Sequence, residues 1–114
     1  MGGDGFMNEK KFAVVLVTVS SREEAEKIAS ALLADRLAAC VNIVPGVTSH
    51  FWWQNKIDQA DELLLVIKTR LAAVKALTEM VKQNHSYTVP EIIALPVVDG
   101  SEDYLNWIEK EVQG

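Results

Sequence analysis

With 114 residues, 49% of them hydrophobic and 24% charged, the chain has the length and balance of one globular domain. Lys and Arg number 11 against 16 Asp and Glu, a formal charge of -5 that counts against a nucleic-acid scaffold while leaving room for a local basic patch. No apolar run approaches the roughly 20 residues needed to cross a bilayer, and the lone Cys40 has no internal disulfide partner, so a reducing cytoplasm is the expected compartment.

Residues 1–11 carry Gly2, Gly3, Asp4 and Gly5 and no apolar core. They read as a flexible lead-in rather than a signal peptide, ahead of a single domain over residues 12–114. Phe12 to Val19 is β-branched and apolar on both faces, as suits a central strand covered on both sides, or covered on one and packed at an interface on the other. Ser20 and Ser21, each followed three residues on by Glu23 and Glu24, make a doubled capping-box pattern. Ala25, Ile28, Ala29, Leu32 and Leu33 then recur at helical spacing, which predicts a helix from Arg22 to about Asp35 or Arg36.

A second strand is expected from Ala38 to Val44, bent at Pro45-Gly46 and resumed from Val47 to Gln54. Asn55-Lys56 is the expected tight turn. Glu62 to Thr69 reads as a central strand, completing a long bent hairpin. Leu71 to Asn84 follows as a helix with a Val74, Leu77, Val81 stripe. After the loop from His85 to Pro90, Glu91 to Val98 is a fourth strand, at an edge because of Pro96. Ser101, Glu102 and Asp103 open a last helix carrying Tyr104, Trp107, Ile108 and Val112 on one side. The order predicts an α+β, ferredoxin-like βαββαβ sandwich with an extended hairpin between its second and third strands and a C-terminal helix.

In that topology the second strand is a long free edge bearing Phe51, Trp52 and Trp53. Such an edge needs a cover. A neighbouring subunit, paired head to tail into a ring, is one cover; the terminal helix folded back is the other.

The stretch RLAACVNIVPGV from Arg36 to Val47 resembles a signature of the CutA proteins. Ser49 to Asn55, Leu64 to Thr69, Pro90 to Val97 and Tyr104 to Trp107 resemble further motifs of that family in the same order. The resemblance implies a homotrimer similar to the PII signalling proteins, a link to tolerance of divalent metals, copper above all, and no established enzymatic reaction. In animals, relatives are linked to anchoring of acetylcholinesterase. The family's loop commonly reads HPYExPE, whereas this chain has Ser86 and Thr88 at two of those places. The family's usual hairpin Gly is Asn55 here, and its usual Tyr is Phe51. Some bacterial members carry Cys and His where this chain has Val17 and Asn84, so of that copper-ligand set only His85 transfers.

His85 is therefore the first candidate metal ligand, with capping of the preceding helix as its structural alternative. Glu91 or Glu62 could complete a site from a neighbouring subunit. Cys40 suits Cu(I) by softness, although its apolar neighbours also fit a small core residue. His50, in the aromatic edge strand, reads as an interface histidine. Lys68, Tyr87 and Trp53 are the candidates for lining a cleft between subunits. No catalytic motif stands out: H-E-x-x-H, C-x-x-C, P-loop and RNP1 patterns are all absent, so neither an enzyme nor an RNA-binding domain is expected. Three functions remain in order: a trimeric metal-responsive protein, a trimeric interaction or signalling scaffold, and, last, a small-ligand hydrolase or isomerase.

Overall fold

The computed structural model describes residues 11–113. Apart from Lys11, the lead-in expected at the N-terminus lies outside the described residues. Four strands, β1 (Phe12–Val19), β2 (Cys40–Trp53), β3 (Lys56–Arg70) and β4 (Ile92–Pro96), form one antiparallel sheet in the order β2-β3-β1-β4. Helices α1 (Arg22–Ala34) and α2 (Val74–Gln83) make the crossovers, and α3 (Glu102–Glu111) ends the fold. This is the predicted α+β, ferredoxin-like arrangement, with the Pro96 strand at an edge as expected.

Alternation along the strands decides which residues meet the helices. Val15, Val17, Leu65 and Ile67 point to one face and are fully buried with Ile28 and Leu32 of α1 and Leu77 and Val81 of α2. The opposite face carries Val14 and Leu16, with Ile93 and Leu95 of β4 alongside and Lys68 and Val66 of β3 on the other flank. Among the described residues only its end is covered: α3 packs Ile108 and Val112 against Phe12 and Ala73. Tyr104 and Trp107, expected with them on the packed side of α3, stand about 40% exposed instead. Their rings stack on each other at 5.5 Å, at the rim of the open face.

The hairpin is longer than predicted, since β3 begins at Lys56 and not at Glu62. Polar residues Asp58, Gln59 and Asp61 hid its first half from a reading based on apolar runs. Val44 pairs with Leu64 and Val47 with Glu62, so three steps on β2 match two on β3. That is the bulge expected at Pro45-Gly46, and Gly46 takes the left-handed φ of 78° that it requires. The extra residue reverses the parity of β2. Cys40, Asn42 and Val44 before it, and Val47, Ser49, Phe51 and Trp53 after it, oppose one continuous even-numbered row of β3.

The turn is Gln54-Asn55, one residue earlier than expected, because Trp53 and Lys56 still pair. Both loop residues are left-handed, at φ 52° and 66°, as a two-residue type I′ turn demands. Gln is not a residue that announces such a turn, which is why the sequence pointed one place too far along. Helix α1 ends in a Schellman motif: Leu37 N–H donates to Leu32 O at 2.9 Å and Arg36 N–H to Leu33 O at 3.1 Å. Arg36, at φ 54°, stands where Gly is usual. Its guanidinium reaches Glu111 Oε1 at 3.0 Å and the Glu111 carbonyl at 3.1 Å.

Candidate functional site

Residues 85–91 connect α2 to β4 and pass the end of β1. Asn84 stops α2, its side-chain amide donating to Met80 O at 2.9 Å. The next side chain, His85, turns inward and is fully buried. Its Nε2 lies 2.8 Å from Thr18 O, and since a carbonyl only accepts, Nε2 carries the proton. Its Nδ1 accepts from Tyr87 N–H at 3.1 Å and lies 3.1 Å from Glu24 Oε2. The same carboxylate oxygen accepts Ser86 N–H at 3.2 Å. As placed here, neither imidazole nitrogen offers a metal a free lone pair, and the ring caps a strand carbonyl rather than the helix.

Glu24 is the functional neighbour that sequence reasoning passed over. The capping pattern is half realised: Ser21 Oγ accepts Glu24 N–H at 3.1 Å. The carboxylate that would have returned the bond instead anchors the loop 62 residues away in sequence. A capping-box motif gives no sign of such a diversion.

Tyr87 carries the network outward. Its hydroxyl donates to Glu62 Oε2 at 2.7 Å, and its ring leans on His85 with centroids 4.8 Å apart. Burial, and then the hydrogen bond into the Glu62 carboxylate, push the Tyr87 phenol up to about 12. It is a neutral donor at any physiological pH. Glu62 is itself buried, at 7% exposure.

Beyond this network lies an open groove of about 940 Å³. The distal hairpin forms one wall, including Phe51 and Trp53, and the 86–91 loop the other, including Tyr87 and Glu91, with Glu62 between them. Of the predicted residues, the structure thus brings Trp53, Tyr87 and Glu91 together, beside His50 and Glu62. His85 sits behind the loop and does not line the groove.

Lys68 and Cys40, expected near the same cleft or at a metal, lie elsewhere. They face each other across β3 and β2, at the base of the hairpin, on the open sheet face. Lys68 Nζ donates to Asn42 Oδ1, and the Cys40 thiol makes a long contact with the same oxygen at 4.0 Å. Burial, followed by the neighbouring Cys40, raises the Tyr104 phenol above its usual value. Among the described residues no group of three His, Cys, Asp or Glu side chains lies close enough to hold a metal ion. Among the described residues no helix is long and apolar enough to cross a membrane.

The family model described as CutA1 divalent ion tolerance protein matches residues 13–111. A divalent-cation tolerance protein CutA from Thermus thermophilus is 54% identical over 97 residues, covering 85% of this chain and 94% of the relative. A chloroplastic Protein CutA 1 from rice is 48% identical over 100 residues, but the chain spans only 56% of that relative's length. Among solved structures, the Thermus thermophilus divalent cation tolerance protein superposes with a TM-score of 0.88 at 51% identity, covering 90% of this chain and 99% of that one. The Archaeoglobus fulgidus structure, titled a periplasmic divalent cation tolerance protein CutA, gives 0.87 at 43%, with 90% and 99% covered. A match that runs through sheet, hairpin and terminal helix leaves one assignment: the chain belongs to the CutA1 family of divalent ion tolerance proteins.

Proposed function

We propose that the chain works as a homotrimer in divalent-cation tolerance, copper foremost, and takes its metal ion or small ligand in clefts between subunits. The observation that carries this reading is the uncovered sheet face. Ile93 and Leu95 are nearly half exposed, beside Val14, Leu16 and Val66, and among the described residues the edge strands β2 and β4 each pair on one side only. An apolar sheet face with two unlike free edges favours a heterologous contact that closes into a ring. On this reading Cys40 and Lys68 lie at the subunit contact, while Glu62, Tyr87, Glu91 and Trp53 form one subunit's half of the cleft. A divalent ion needs more donors than that half supplies, and the neighbour provides them. His85 and Glu24 hold the loop in place rather than bind the ion.

No catalytic step is part of this proposal. The single cysteine and the absence of a disulfide favour the cytoplasm, even though relatives carry the words chloroplastic and periplasmic in their names. Solution mass by light scattering, run with and without Cu²⁺, tests the assembly. A mass near three chains supports it, and a single-chain mass overturns both the trimer and its shared cleft. A second reading, a non-catalytic interaction or signalling scaffold, is favoured by Trp52, which is 72% exposed on the side of the hairpin opposite Phe51 and Trp53. Stoichiometric capture of one partner, lost on Trp52→Ala, would favour the scaffold.

A further inference from the structure

The groove has a composition that a bare metal ion does not explain. Phe51, Trp53 and Tyr87 contribute aromatic rings to its lining, and Asp58, Glu62 and Glu91 contribute carboxylates. Among the described residues no lysine or arginine lines it. Phe51 lies directly opposite Asp58 in the hairpin register, so ring and carboxylate are neighbours.

Glu62 is the second, independent pointer to a ligand. It is more than nine-tenths buried. One of its oxygens accepts from Tyr87, and the other has no hydrogen-bond partner among the described residues. That second oxygen is not among the fully buried unpaired atoms, so it meets the groove's solvent, where a cation or donor can replace water. The volume of about 940 Å³ is that of a small-molecule site and far exceeds the needs of one ion. Aromatic faces attract cations through the ring quadrupole and at the same time shelter apolar groups.

We infer that this groove binds a small organic cation: an ammonium or guanidinium group, met by the Glu62, Glu91 and Asp58 carboxylates, on an apolar body that packs against Trp53 and Phe51. The inference uses the same groove as the cleft reading above and requires that the groove stay open in the protein as it assembles. It differs from that reading in needing no metal and no donor from a second subunit.

The test is calorimetric titration of the full chain with benzylammonium, and with benzyl alcohol as its neutral counterpart. The expected result is one benzylammonium per chain, weakened by salt, with benzyl alcohol at least about tenfold weaker. Trp53→Ala and Glu91→Gln should each weaken benzylammonium by about tenfold. Glu62→Gln should do the same while keeping an acceptor for Tyr87, so a folded variant remains to be measured. Equal affinity for benzyl alcohol, or indifference to all three substitutions, overturns the inference. Light scattering in the same buffer separates the two readings. A three-chain mass without benzylammonium binding, the groove being filled by the neighbour, overturns the organic-cation site alone. A single-chain mass with benzylammonium bound supports the site and overturns the trimer.

Discussion

Removing the Tyr87 hydroxyl should destabilise the protein by an amount that depends on pH in a defined direction. In Tyr87→Phe the Glu62 carboxylate loses the hydroxyl that donates to it at 2.7 Å. A hydrogen bond to a charged partner is worth about 1.5–3 kcal/mol, so a loss of about 2 kcal/mol is expected at pH 8. The Tyr87 phenol stands at about 12 in the folded chain against 10 when unfolded. Between those values the unfolded state has released the proton and the folded state still holds it. Tyr87 therefore contributes stability that is complete below pH 10 and is lost as pH rises through 12. The full rise would be worth about 2.7 kcal/mol, and screening of the partly exposed ring reduces that to about 1 kcal/mol. Urea unfolding of both proteins at one chain concentration, from pH 8 to pH 11.5, reads both effects. The stability gap between wild type and Tyr87→Phe should narrow as pH rises. A gap below about 0.5 kcal/mol at pH 8, or one that widens on the alkaline side, refutes the hydrogen bond as the source.

Three further outcomes follow from the fold. Leu65→Ala, at a fully buried position between β1 and the helices, should cost about 3 kcal/mol in the same urea assay. Gln54→Gly should stabilise the hairpin by about 0.5 kcal/mol, because a left-handed residue at φ 52° is relieved by more than the entropy that Gly adds to the unfolded chain; an unchanged or lower melting temperature would contradict this. Deleting Gly46 removes the extra residue of the bulge and exchanges the faces of Phe51, Trp52 and Trp53. The near-ultraviolet circular dichroism should then change while the helical far-ultraviolet signal persists, and an unaltered aromatic spectrum would show that the hairpin faces are not set there.

Element order was readable from the chain because the core elements are governed by local periodicity. Phe12–Val19 and the Ala25, Ile28, Leu32 stripe carry their burial in their spacing; the structure buries Val15, Val17 and Val19 with that stripe, while Val14 and Leu16 stay half-buried on the open face. The Pro45-Gly46 bulge was legible for the same local reason. The first half of β3 was not, because a strand with polar residues on a solvent-facing ribbon has no apolar pattern to read. Trp53, Tyr87 and Glu91 could be named in advance but not assembled, since their meeting depends on how a hairpin and a loop 30 or more residues apart lie against each other. Lys68 read as a cleft residue alongside Tyr87 and Trp53, yet the register sets it opposite Cys40 at the base of the hairpin. The link from Glu24 to His85 was invisible, because a helix-capping acid and a loop imidazole advertise different partners locally.

Arg36 ties the exit of α1 to the C-terminal end of the described residues. Its carbonyl accepts Gln113 N–H at 2.9 Å while its guanidinium grips Glu111, so the last turn of α3 closes over the exit of α1. Cys40 begins β2 only four residues later. During synthesis, this latch can shut only after α3 emerges, some 75 residues later than Arg36 itself. Until then the left-handed turn at Arg36 is held by its local Schellman bonds alone. The C-terminal helix thus acts as a late fastener on an early joint, and the accessibility of the Cys40 thiol to alkylation offers a direct clock for the moment at which it closes.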